Sequence, residues 1–366
     1  MKFFVLPIVL LISLTAVAPA FGKKDRKPSG KVERSTPADP HVVITVCVKS
    51  GEITVRGWDK AEVRASSADA DEIEFRRIDK VKHKDQIALP PATRIDLMIV
   101  EKSDERSEQA DCQSMADIEL NVPLGATVQA QTRDGDIHIE GVAAAYAGSQ
   151  NGDIYIERAA TLVEAGSVGG SISLKDSSGR INLSSAGGGV QASNIRSADG
   201  DDSFEVGTVS GDIELEHVNS TNVTAKTVNG NVTMTGPLAH SGRYSFTNLS
   251  GNVVLALPAD ASFQLNAKLA KERDIISEFT LKPITQRTVP PAPPTEGTPQ
   301  PEGGLRTAPL PPTTPAPKTG PVVAPVVVKP QIRMAYMLHR VNAICGSGDA
   351  MISVASFGGA LRLKKL

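Results

Sequence analysis

The chain has 366 residues, a formal net charge of −2, 31 Gly and 25 Pro, but only 9 Phe, 4 Tyr and 1 Trp. The near-neutral balance excludes a nucleic-acid-binding surface, which needs a clear basic excess. Abundant Gly with few aromatics argues against a large helical core and for many short turns between strands of small residues.

In chain order, Lys2 precedes an apolar run over residues 3–17, which ends in Ala18-Pro19-Ala20 and is followed by Lys23-Lys24-Asp25-Arg26-Lys27. That order predicts a secretory signal peptide over residues 1–20, because the run is short for a bilayer span and a small-x-small cleavage pattern closes it. The first cysteine is Cys47, so no lipid-anchored terminus is expected. No later stretch is apolar enough for an integral membrane span. The expected location is therefore outside the cytoplasm: the periplasm, cell envelope or cell surface. In that oxidising setting Cys47 and Cys112 can pair, leaving Cys345 as a free buried thiol. Residues 21–40 are charged and Pro-containing and read as a flexible leader.

Residues 41–121 form an N-terminal β region, with a first strand pair from Val42 to Trp58 and strand-like runs at 72–78 and 95–100. Val122-Pro123-Leu124-Gly125-Ala126 then introduces a regular β-repeat array over residues 122–282. Leu257-Pro258-Ala259-Asp260-Ala261 echoes that opening, so a second half of related design starts there. Residues 283–330 hold fifteen prolines. Lacking backbone donors, they are expected to be a disordered, extended insertion. Residues 331–366 return to strand alternation and are expected to complete the array, so the two flanks of the insertion should pack together.

Internal repetition is the strongest signal. A unit of a small or acidic residue, Gly, a polar residue, an aliphatic, any residue and an aliphatic appears at Gly51, Gly135, Gly152, Gly170, Gly179, Gly211, Gly230, Gly251 and Gly359. Two examples are Asp134-Gly135-Asp136-Ile137-His138-Ile139 and Asn151-Gly152-Asp153-Ile154-Tyr155-Ile156. Positions seven, five and three before Gly are Val128, Ala130 and Thr132 in one copy and Val223, Ala225 and Thr227 in another. Alternation of this kind puts every second side chain on one face, the period of a half-buried strand. The Gly permits a positive φ, and a neighbouring Asn or Asp tolerates the same region. The fold class is thus all-β, a β-solenoid or β-helix-like array of strand-turn-strand units. An antiparallel β-meander with two-residue hairpin turns is the alternative, and the tandem similarity favours the solenoid.

Asp117-Ile118-Glu119-Leu120-Asn121-Val122-Pro123, followed by the Gly-Asp-Ile-x-Ile repeats, resembles a bacterial candidate-adhesin family of unknown function built from β-strand repeats. The resemblance covers roughly residues 40–282 and 331–366, with the Pro-rich stretch as a departure. It implies an exported or envelope-associated β-solenoid-like domain and supplies no catalytic residues.

No catalytic, cofactor-binding or metal-binding residues are assigned, and no cofactor is expected. Asp136, Asp153 and Asp212 share one repeat position and invite a Ca²⁺ reading. The nonapeptide pattern of calcium-binding β-rolls is missing, and Ser171, Arg180, Asn231 and Asn252 share the position, so turn formation is the preferred role. Asp199, Asp201 and Asp202 form the densest acidic cluster, which glycoside cleavage would need, but they read as a solvated turn. Tyr146, Tyr155 and Tyr244 are the sparse aromatics of the array. His138 sits at an outward strand position and His217 at a strand end, each without a metal-ligand partner. Thr233, Glu214 and Asn182 mark a solvated outer face. The expected function is an exported, non-enzymatic, adhesin-like structural or interaction protein whose partner is an envelope or surface protein or a glycan. The alternative is a glycan-binding or glycan-cleaving β-helix.

Overall fold

The computed structural model describes residues 30–78, 90–100, 112–197, 202–271, 274–284 and 339–366. The segment expected to be a signal peptide, the expected leader up to residue 29, almost all of the Pro-rich stretch, Asp199 and Asp201 lie outside the described residues.

The described residues form 26 strands. In the N-terminal region these are β1 (Val32–Ser50), β2 (Ile53–Trp58), β3 (Glu62–Ser67), β4 (Glu72–Arg77), β5 (Ala92–Val100) and β6 (Ile118–Pro123). The array continues with β7 (Thr127–Asp134), β8 (Ile137–Glu140), β9 (Ala144–Ser149), β10 (Ile154–Glu157), β11 (Leu162–Ser167), β12 (Ile172–Lys175) and β13 (Arg180–Ser185). It runs on through β14 (Val190–Ile195), β15 (Phe204–Ser210), β16 (Ile213–Val218), β17 (Asn222–Asn229), β18 (Val232–Thr235), β19 (Arg243–Ser250) and β20 (Val253–Leu257). The C-terminal strands are β21 (Phe263–Leu269), β22 (Ile275–Ser277), β23 (Lys282–Pro283), β24 (His339–Cys345), β25 (Ala350–Ser356) and β26 (Leu361–Lys365).

Pairing is parallel and in register along the array, which selects the solenoid over the meander. Each rung is one strand from each of two facing sheets. Sheet A stacks β6, β2, β8, β10, β12, β14, β16, β18, β20, β26 and β22. Sheet B stacks β5, β1, β7, β9, β11, β13, β15, β17, β19, β25 and β21. At ~4.8 Å per strand these stacks extend roughly 48 Å. Residues 32–37 of β1 pair with β3 on sheet A before the strand crosses to sheet B, which joins the two sheets into one. The leader therefore ends earlier than the sequence implied. Val32–Pro37 is ordered because it pairs antiparallel with Glu62–Ser67.

Between the sheets lies one apolar core. Ile154, Ile156, Ile172 and Leu174 from sheet A meet Ala145, Ala147, Val163 and Ala165 from sheet B, all of them buried. Large residues on one sheet thus face small ones on the other, as close packing demands. Towards the C-terminus sheet B turns bulky with Phe204, Tyr244 and Phe246. Tyr244 is therefore a core residue and not a surface aromatic; its hydroxyl accepts the Ala239 N–H at 2.6 Å.

In every rung except the two outermost, β5–β6 and β21–β22, one corner carries the repeat glycine, and its reason is close approach. A Cβ on Gly152 would lie 1.9 Å from the Gly135 carbonyl oxygen, and one on Gly170 would lie 2.1 Å from that of Gly152. Of this column only Gly51 and Gly251 have positive φ, so the turn conformation expected from the sequence is the minor cause. From Gly152 to Gly251 the buried residue three before the glycine completes the corner, whereas Val48 before Gly51 is apolar and the Thr132 hydroxyl before Gly135 has no partner among the described residues. Ser167 donates to the Gly152 carbonyl at 3.1 Å and accepts the Gly170 N–H at 2.9 Å; Ser185 does the same for Gly170 and Gly188. Thr208, Thr227 and the Asn248 amide continue the ladder.

Gly188, and not Gly179, occupies this column. Gly179 precedes β13, which pairs in sheet B, half a rung out of phase with the other copies. Both strands of a rung share the same alternation, which is why the two phases look alike in the sequence.

The rung order departs from chain order at both ends. β1–β2 sits between β5–β6 and β7–β8, and β25–β26 sits between β19–β20 and β21–β22. Each two-rung step follows one of the echoed segments, with matching turns: Ala126 N–H to Pro123 O and Ala261 N–H to Pro258 O, both 2.9 Å. Antiparallel strands finish the stacks: β3 and β4 at one end, β24 at the other. The flanks of the Pro-rich stretch do pack together, since β23 pairs with β24.

Candidate functional site

The outer face of sheet A carries a shallow depression of about 350 Å³ across β2, β8, β10 and β12. Its lining comes from the outward positions three and five after the repeat glycine, so strand alternation alone points these side chains away from the core. The first column holds Thr54, His138, Tyr155 and Ser173 and the second Arg56, Glu140, Glu157 and Lys175, all in parallel register.

His138 and Tyr155 are neighbours in the first column. Their rings stack with centroids 4.6 Å apart and planes 7° from parallel. Thr54 and Ser173, the next residues on either side, are small, so each end of the stack opens into a gap. Tyr155 is 40% exposed. Its hydroxyl donates to Asp153 at 3.2 Å. Partial burial, then the charges of Asp153 and Asp136 and that hydrogen bond, hold the phenol pKa above its ordinary value.

The acidic ladder beside the stack acts as a turn cap. Asp136 accepts the Asp153 N–H at 2.8 Å, and Asp153 accepts the Ser171 N–H at 2.7 Å. Asp212 and Asn231 repeat the bond further along. Arg180 does not join this ladder, because β13 lies in sheet B. On the far flank Arg158, in the left-handed region at φ 55°, bridges Glu140 and Glu157. By contrast, the Lys175 ammonium and the Ser171 and Ser173 hydroxyls have no hydrogen-bond or ion-pair partner among the described residues.

The remaining sequence candidates are dispersed. Asp202 is buried and takes hydrogen bonds from Ser197, Ser220 and the Thr221 N–H, a structural role at a corner. Tyr146 stands on sheet B, and His217 is the last residue but one of β16, at φ 50°. Glu214, Thr233 and Asn182 are outward, as expected. Cys47 and Cys112 form the disulfide and Cys345 is free and buried. No group of three or more His, Cys, Asp or Glu that could hold a metal occurs among the described residues, and no helix there is long and apolar enough to cross a membrane. The His138–Tyr155 stack was missed in the sequence, although both occupy position three after the glycine in consecutive repeats.

Residues 143–271 match the family model described as Toastrack DUF4097, a domain of unknown function, so the resemblance to a β-repeat family of unknown function holds for that stretch. No curated protein matches the chain. Three solved structures are similar. A candidate adhesin from Parabacteroides merdae aligns with 8% identity over 63% of this chain and 90% of its own, with a TM-score of 0.36. A candidate adhesin from Bacteroides fragilis aligns with 10% identity over 93% and 99%, at 0.32. A candidate cell adhesion protein from Clostridium sporogenes aligns with 11% identity over 92% and 100%, at 0.18.

Proposed function

We propose that the protein is an exported, non-enzymatic interaction protein that presents its rigid β-solenoid to a partner at the cell envelope or surface, in the manner of an adhesin. The observation that carries this reading is the unbroken parallel register of sheet A, which fixes columns of outward polar side chains at constant spacing. Such a face binds by presenting many pre-organised contacts at little ordering cost. The Cys47–Cys112 disulfide supports an oxidising compartment. The basic-apolar-small order of residues 1–20 supports export by the secretory route.

Cell fractionation of the native host is the test. The protein is expected in the envelope or medium with Cys47–Cys112 oxidised, and purified protein is expected to capture an envelope component. Recovery in the cytoplasm with both thiols reduced would overturn the reading. Turnover of a polysaccharide by the purified protein would overturn its non-enzymatic part.

A further inference from the structure

We propose that the gap beside Tyr155 is a binding slot for one pyranose ring of a glycan. This rests on the surface-presentation reading and narrows its partner to a carbohydrate.

A pyranose has an apolar C–H face and a rim of hydroxyls, so it needs a flat aromatic wall with hydrogen-bonding groups around its edge. Tyr155 supplies the wall. One face of its ring is covered by His138, and the hydrogen bond to Asp153 restrains its tilt. The other face looks over Ser173, its partner on β12. On the following rung, β14, Gln191 is turned away, its amide donating to Glu214 at 3.3 Å. Tyr155 and Gln191 are therefore two rungs apart, roughly 9.6 Å, with only a serine between them. A ring laid on Tyr155 at van der Waals contact, ~4 Å, fits that gap.

Its edge groups are also in place. Ser171 just before β12 and Ser173 and Lys175 on its outer side follow one another, and all three side-chain polar groups lack intramolecular partners among the described residues. Asp153 and Glu157 on the Tyr155 side add acceptors held by Ser171 N–H and Arg158. Donors and acceptors are thus mixed around one aromatic face, which suits a neutral polyol.

Binding of the methyl glycosides of glucose, galactose and N-acetylglucosamine to the purified protein, followed by saturation-transfer and chemical-shift NMR, tests the slot. At least one is expected to bind with shifts centred on β10 and β12. Tyr155→Ala is expected to weaken it about tenfold or more, and Tyr155→Phe to retain it. Ser173→Trp, which fills the slot from an outward position, is expected to abolish binding while the unfolding midpoint stays unchanged. No binding by any of the three, or binding that survives both Tyr155→Ala and Ser173→Trp, overturns the proposal. So does a lysine-rich peptide that binds the slot when the glycosides do not. The broader reading fails separately: capture of an envelope component unaffected by both substitutions leaves it standing without the sugar slot, whereas a cytoplasmic location removes it even if a glycoside binds.

Discussion

The two ends of the solenoid use the same device and secure it differently. At each, the chain steps over a rung after a Pro-containing turn, and the first or last rung of the sequence fills the gap. At the N-terminal end the filling rung, β1–β2, precedes its neighbours in the chain and can template them. A disulfide between Cys47 and Cys112 then ties it to the segment leading into β6. At the C-terminal end β25–β26 follows in the chain both of the rungs that it lies between. Among the described residues it is held there by non-covalent contacts: parallel ladders to β19 and β21 and to β20 and β22 on its two sides, and, in the turn leading into it, the Ser262 hydroxyl accepting the Gly348 and Asp349 N–H groups. The nearby Cys345 stays reduced, with its thiol on the Ala261 carbonyl.

The largest effect separating the ends should come from deleting residues 339–366. This opens the gap between β19–β20 and β21–β22 and exposes buried Phe246, Leu255 and Leu265. Loss of cooperative thermal unfolding is expected, and a wild-type melt would show the C-terminal rung to be dispensable. Cys47→Ala should come next. The disulfide closes a 65-residue separation, for which chain entropy gives about 4 kcal/mol. Hydrogen exchange in that variant should speed up in β1, β2, β5 and β6 and stay unchanged in β24 to β26. Gly170→Ala probes the ladder between the ends: its Cβ would meet backbone at 2.1 Å, so roughly 3 kcal/mol of destabilisation is expected by denaturant titration.

The smallest effect belongs to Glu119, which the Lys31 hydrogen bond and charge hold below the ordinary carboxylate pKa. A lowered folded pKa contributes stability above the unfolded value, and that contribution is lost as pH falls through the folded one. Both side chains are about half exposed, so Glu119→Gln should cost less than ~1 kcal/mol at neutral pH. Wild type and variant should converge in acid.

Much of this architecture was legible in the sequence, because glycine spacing and strand alternation are dictated by the repeat itself. The inward positions at Val128, Ala130 and Thr132 and the return of the C-terminal strands follow from pattern, whereas the pairing of Cys47 with Cys112 was only one possibility in the sequence and is settled by the structure. The rung order was not legible, since parallel pairing carries no local mark of which strand lies beside which. The echo of residues 122–126 at 257–261 was the available clue. Gly179 was misplaced because both strands of a rung alternate alike. The stack of His138 on Tyr155 required knowing that residues seventeen apart adjoin, which only the solenoid register supplies.

Engineered cysteines on the outer face of sheet B test the rung order most directly. In a Cys345→Ser background, Ser353→Cys is expected to cross-link within the monomer to Ser245→Cys, and in a separate variant to Asn266→Cys, its two register partners. Ser245→Cys with Asn266→Cys should stay reduced, because the C-terminal rung lies between them. A monomeric cross-link between residues 245 and 266, with none to residue 353, would place the rungs in chain order and contradict the closed ladder described above.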